Sequence, residues 1–324
     1  MPDDNGCLGF APGGYPLGVR PSPPDERDYR YIAYGQVYRD LPNAHTVGGI
    51  TKIDNQGGVE ACVACSIGLA KDWQEGHELG YSARFSRQFI YANRNKYDYQ
   101  GPGMVPRSAL GRLRDYGVCT EDLWPGLSEY GQETWPERDP LLAAAKPYKI
   151  DTYVRIEQSF IPEIKSAVYT LGPVMYCVPI HDNFAPNAEG IIPLPEGNIR
   201  GYHAMAVVGW KHGLWLVQNS WGESWGQGGR CWIPWSFPAL EVWGITDAET
   251  PRYDELLVIE GEGTAWLNGR SVAWDRPALL INDRFMVPGR HYSETVGDVV
   301  LDHGRFEAGE YADRYWAKFG RRVR

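Results

Sequence analysis

The chain has 324 residues, enough for one large domain with a small companion or for two of medium size. Hydrophobic residues make up 43%, including 13 Trp and 20 Tyr, a supply of burial that argues against disorder across the whole chain. The net charge of −9 argues against nucleic acid as the main partner, and the basic end Lys318, Arg321, Arg322 and Arg324 reads as a solvated tail. No stretch approaches the roughly 18 apolar residues of a membrane span, and the first 30 residues lack the pattern of a secretory signal. Six cysteines (Cys7, Cys62, Cys65, Cys119, Cys177 and Cys231) are too sparse for a disulfide scaffold and read mostly as buried, reduced thiols.

Residues 1–45 are rich in Pro, Gly and Asp and read as an extended arm, a composition that also fits a short removable pro-segment. From 46 to about 250 the chain reads as one α+β domain. Val63, Ile67, Ala70 and Trp73 recur at helical spacing and predict a helix after Cys62 with one apolar face. Further helices are expected over Ser86–Asn95 and over Arg107–Tyr116, the second ended by Gly117. Beyond Pro173 the runs VMYCVPI, HAMAVVGW and GLWLVQNSW read as sheet, so helices come first and strands second. After a break near Thr250–Asp254, residues 255–324 read as a second unit. Asn268-Gly269 is a hairpin signal there, Asn282-Asp283 marks another turn, and 291–297 a short helix.

Four separated residues carry chemistry. A thiol is a good nucleophile only as thiolate, which a helix N-terminus or a neighbouring imidazolium favours. Cys62 sits where the glycine-containing loop 54–61 runs into the predicted helix, so the macrodipole would favour charge on its sulfur. Gln56, six residues upstream, can return its side-chain amide as an oxyanion donor. His203 heads the apolar run AMAVV and is held by a rigid element, as a general base should be. Asn219 can accept from one imidazole nitrogen and fix the tautomer, and Trp221 could cover that bond.

Taken together, these segments resemble the papain family of cysteine peptidases, from about Arg20 to Asp247. His203 falls within the family's roughly 130–150-residue separation from the nucleophile, and Asn219 just beyond it. The resemblance implies a two-lobed fold, with a helical left half and a β-sheet or barrel right half. It implies Cys62 as nucleophile, His203 as base, Asn219 as its orienter, Gln56 as oxyanion donor and Trp221 as the shielding indole. It further places Gly103 and Met104 on the backbone of an extended substrate, and Cys177 and Tyr202 in the main side-chain pocket. Val59-Glu60-Ala61 replaces the family's cysteine-rich loop, Val63 its usual tryptophan and Cys65 a common phenylalanine, as in bacterial and phage members. A carboxylate at Glu60 would oppose the thiolate unless it points to solvent. Cys65, one turn on, is expected to face the core, and His181 to be a surface histidine. Residues 255–302 resemble a different module, the copper amine oxidase N-terminal-like domain, a small α/β unit with no metal implied.

The reading is a peptidase that works through an acyl-enzyme on protein or peptide substrates, with no cofactor and no metal. Attachment or self-association through 255–324 is possible on this reading, and a cytoplasmic or phage-associated address is favoured over classical secretion. The alternatives are acyl transfer or deamidation on the same triad, or a silent binding protein on a peptidase scaffold, which the substitution at Glu60 and the appended module motivate.

Overall fold

The computed structural model describes residues 9–34, 37–38, 41–79, 84–94 and 101–247, with short strands between 256 and 307. Two units emerge, one of residues 1–76 and 82–248 and one of 77–81 and 249–324. The first runs α1 (Tyr31–Tyr34), β1 (Ala44–Thr46), α2 (Cys62–Leu79), α3 (Arg87–Ala92), α4 (Pro106–Tyr116), α5 (Arg138–Ala145) and β2 (Ile150–Ile156). It continues through α6 (Ile161–Leu171), β3 (Val174–His181), β4 (Ile199–Lys211), β5 (Leu214–Gln218), β6 (Arg230–Pro234) and β7 (Glu241–Asp247).

The helix after Cys62 begins at Cys62 itself. The helical spacing of Val63, Ile67, Ala70 and Trp73 predicts one apolar face, yet residues 62–71 are buried all round. The reason is position: α2 is packed on more than one side. Ser66 Oγ donates to the Met205 carbonyl at 3.0 Å, and Leu69 packs with Ala206 and Val208 of β4. Even Lys71 is buried, and it needs a partner to be so; it pairs with Glu75 at 2.6 Å. The next two helices follow their sequence signals closely. Ser86 caps α3, its hydroxyl accepting from the Phe89 N–H at 2.9 Å. Pro106 opens α4, and Gly117 (φ 75°) ends it where a Cβ would lie 2.0 Å from the Ala145 carbonyl oxygen.

The three apolar runs become β3, β4 and β5 of an antiparallel sheet in the order β2-β7-β3-β4-β5-β6, with β1 added to β4. The sheet is open rather than closed into a barrel. The α+β class holds, but α5, β2 and α6 were not expected, and α6 between β2 and β3 breaks the order of helices first and strands second. Helix α6 is amphipathic, with Ile164, Ala167 and Val168 buried at helical spacing.

One buried charge cluster ties α2, α3 and the loop before Cys62 together. Arg87 reaches Asp54 at 3.0 Å and Asp72 at 2.7 Å, and Arg84 bonds both carboxylates as well. The Arg87 and Asp54 side chains are 3% and 8% exposed, so the Arg87 guanidinium could not be resolvated cheaply if a carboxylate were removed. Asp54→Ala is therefore expected to destabilise the chain by about 3 kcal/mol, read as a lower urea midpoint at unchanged slope.

In the second unit the described strands form two three-stranded sheets. They are β8 (Leu256–Val258), β9 (Thr264–Leu267) and β10 (Arg270–Ala273), then β11 (Leu279–Ile281), β12 (Arg284–Pro288) and β13 (Arg305–Glu307). Leu267 pairs with Arg270 and Ile281 with Arg284. The expected helix at 291–297, and most of the stretch that resembles the amine oxidase module, lie outside the described residues.

Candidate functional site

Cys62 is the first residue of α2 and fully buried. The loop leading to it is pinned to the segment after β5: Gln56 N–H donates to the Ser220 carbonyl at 2.8 Å, and Gly222 N–H to the Asp54 carbonyl at 2.9 Å. Gly57 takes φ 58°, the left-handed conformation that the tight turn needs.

His203 lies on β4, also fully buried, and its Nε2 is 2.7 Å from Asn219 Oδ1. The backbone N–H of Ser220 donates to that same Asn219 atom at 2.7 Å, so the atom must be the amide oxygen. An oxygen there can only accept, so His203 carries its proton on Nε2, and Nδ1 is the basic nitrogen. That Nδ1 is buried without a hydrogen-bond partner. Trp221 stacks on the imidazole with ring centres 4.4 Å apart. Three of the sequence-predicted residues thus form one connected group, and Asn219 supplies the hydrogen bond that fixes the tautomer.

Gln56 is aimed by a residue that sequence reasoning missed. Ser220 Oγ donates to Gln56 Oε1 at 2.6 Å, which turns Nε2 the other way to donate to the Val59 carbonyl at 2.8 Å and the Pro16 carbonyl at 3.2 Å. Only its adjacency to Asn219 in the sequence could have pointed to Ser220. Pro16 belongs to the arm, and the arm fills the site. Gly13 (φ 89°) and Gly14 (φ 81°) turn it so that Phe10 pairs with Pro16, and Tyr15 stacks flat on Trp221 at 4.6 Å. Gly18 crosses Cys62: a Cβ on it would lie 3.0 Å from Cys62 Sγ and 2.2 Å from the Glu60 carbonyl oxygen. Met104 N–H then donates to the Gly18 carbonyl and Arg20 N–H to the Met104 carbonyl, both at 2.9 Å. Val19 N–H donates to the Tyr202 carbonyl at 3.1 Å, and Val19 joins the buried cluster that holds Met104, Cys177 and Ala204. The expected substrate contacts Met104 and Tyr202 are thus occupied by the protein's own chain. Gly103 N–H is taken instead by the Tyr91 hydroxyl at 3.3 Å.

Burial also sets the protonation state. Burial pushes the Cys62 thiol up to about 11, against the backbone N–H groups of Ala204 and Gly18 that donate toward its sulfur. Burial likewise pushes His203 down to about 4, against the Asn219 bond that raises it. Thiol and imidazole are both neutral at pH 7 while the arm is seated. Glu60 is half-buried, and its charge is felt at the Tyr91 hydroxyl, which burial first of all raises to about 12. Cys65 is buried, and burial raises its thiol well above the ordinary value, with Asp54 adding to it. His181 sits at the protein surface, its Nδ1 3.1 Å from the Gly197 carbonyl. Among the described residues no cluster of three or more His, Cys, Asp or Glu could hold a metal ion.

The family model described as papain family cysteine protease matches residues 40–236, more than half of the chain. The chain belongs to the papain family of cysteine proteases. It is 29% identical over 196 residues to cathepsin L of Sarcophaga peregrina, covering 56% of this chain and 55% of that one. It is 27% identical over 136 residues to cathepsin B-like cysteine proteinase 3 of Caenorhabditis elegans, covering 41% and 35%. The chain therefore spans between a third and a little over half the length of these two relatives. The fold is papain-like: the crystal structure of xylellain, a cysteine protease from Xylella fastidiosa, superposes with a TM-score of 0.64 at 24% identity. That match covers 72% of this chain and 96% of xylellain.

Proposed function

We propose that the chain is a cysteine peptidase held shut by its own arm, with Cys62 as nucleophile, His203 as base and Asn219 as orienter. The observation that carries this is the fixed tautomer: Asn219 holds the proton on His203 Nε2 and leaves Nδ1 basic and unbonded. Once the arm lifts, water relieves the burial that separates the two groups, and His203 Nδ1 takes the thiol proton. The thiolate attacks the scissile carbonyl carbon, and Gln56 Nε2–H with the Cys62 N–H holds the oxyanion. The C–N bond breaks as the imidazolium gives its proton to the leaving amine, leaving a thioester on Cys62. His203 then takes a proton from water, whose oxygen displaces the sulfur and releases the acid.

Gly18 lies against the sulfur, but its carbonyl is bonded to Met104 rather than to Gln56, so that peptide bond is not polarised for attack. Family membership favours hydrolysis over the transferase and deamidase readings. Product analysis by mass spectrometry with an added amine tests this: free carboxylic acid is expected, and an amide product would sink it.

The protonation states give a second test. In the closed chain the thiolate fraction at pH 7 is on the order of 10⁻⁴ for a thiol at about 11. Cys62 alkylation by iodoacetamide should rise about tenfold per pH unit between 7 and 10, because the thiolate gains with pH all the way to that value. A flat profile over this range would mean that the arm is not seated in solution.

A further inference from the structure

Residues 22–30 of the arm leave the cleft and meet a second, charged surface. Arg107 of α4 grips Asp28 with two parallel bonds, Nε to Oδ1 and Nη2 to Oδ2, both 2.6 Å. Arg155 of β2 approaches the same carboxylate at 3.9 Å and Glu241 of β7 at 3.8 Å. Both guanidinium groups lie over the Trp243 ring, at 5.7 and 5.2 Å from its centre. The side chains involved are 9% (Asp28), 16% (Arg107) and 21% (Arg155) exposed, so water competes weakly for them.

We propose that Arg107 and Arg155 form a carboxylate-binding site, separate from the cleft, whose ligand in this chain is Asp28 and whose occupancy keeps residues 9–20 seated over Cys62. The proposal rests on the arm-shut reading above. Charge on the body side supports it: two guanidinium groups face one carboxylate, Glu241, and Asp28 supplies the second. The same residues hold the neighbouring backbone. Ser22 N–H donates to Glu241 Oε1 at 3.1 Å, Arg107 N–H to Ser22 Oγ at 3.1 Å, and Arg155 N–H to the Tyr29 carbonyl at 2.6 Å. Arg107 Nη1 also donates to the Pro23 carbonyl. Between the cleft contact at Arg20 and this site lie seven residues, three of them proline (Pro21, Pro23 and Pro24). Proline fixes φ, so this tether is stiff and loosening at one end is passed to the other. The adjacent pair Asp25–Arg27 differs: Arg27 is 89% exposed, and the pair lies within the arm.

The test is the rate of Cys62 alkylation at pH 7 in the full-length chain. Asp28→Asn and Arg107→Gln should each raise it on the order of tenfold to a hundredfold, the scale of truncating one partner of a desolvated charge pair. Asp28→Glu keeps a carboxylate and should stay within a few-fold of wild type, as should Arg27→Gln. The double variant Asp28→Asn with Arg107→Gln should label no faster than either single variant, since both remove the same contact. Wild-type labelling by Asp28→Asn, or a double variant equal to the product of the singles, would overturn the proposal. Thermal unfolding of each variant separates loss of the latch from loss of the fold. Labelling reads access to the thiol and not hydrolysis, so a chain that labels faster yet cleaves nothing would contradict the peptidase reading and leave the latch standing.

Discussion

Gly18→Val is expected to raise the alkylation rate of Cys62 at pH 7 by at least about a hundredfold. Gly18 has no room for a side chain: its Cβ would stand 2.2 Å from the Glu60 carbonyl oxygen and 3.0 Å from the sulfur. The first of these atoms is backbone at the head of α2 and cannot swing aside, so the arm must leave. Departure admits water to a thiol that burial holds at about 11. A return to the free-cysteine value near 8.5 alone multiplies the thiolate fraction about 300-fold, and approach of a charged His203 would add to it. The stack of Tyr15 on Trp221 is lost at the same time, so tryptophan emission should change together with labelling. Unchanged labelling in a folded Gly18→Val chain would mean that the arm does not control access.

Cys62→Ala in that opened background is expected to lower peptide hydrolysis by a thousandfold or more, to the limit of detection. Removing a nucleophile abolishes the covalent route, and removing its base costs about as much because the two act as a unit. His203→Ala should therefore fall as far as Cys62→Ala, and the double variant no further. Asn219→Ala should be milder. It frees the imidazole to take the wrong tautomer and leaves Trp221 stacked on it, so a lower kcat with a smaller change in KM is expected. Retention of wild-type turnover by Cys62→Ala would remove the nucleophile assignment. Cys65 offers no substitute, since burial raises its thiol well above the ordinary range.

How much of this was legible in the sequence follows from how local each signal is. Cys62 at a helix start, a helix beginning about Ser86 and the Gly117 stop depend on neighbouring residues, and the structure places each within a residue of where the sequence does. The apolar runs at β3, β4 and β5 are long and bounded by glycine, so they read as strands for the same reason. The proton on His203 Nε2 was not legible, because it depends on Ser220 N–H choosing which end of Asn219 is oxygen. The all-round burial of α2 was not legible either, since periodicity reports one face and packing decides the rest. The arm was the largest gap. Its Pro and Gly content predicts irregular chain, and irregular chain carries no pattern that says where it lies. Its contacts with Gln56, Met104 and Tyr202 use backbone atoms that every sequence has. Asp28 and Arg107 are 79 residues apart, and nothing local marks them as partners.

The most direct test of Cys62 as an activated nucleophile is its alkylation rate against pH in the Gly18→Val chain, with the modified residue located by mass spectrometry. With His203 and the α2 N-terminus acting on the sulfur, labelling should fall on Cys62 alone among the five described cysteines, with an inflection well below 8.5 that moves up in His203→Ala. A single inflection at or above 8.5, unmoved by His203→Ala, or label on Cys65 in place of Cys62, would contradict the assignment.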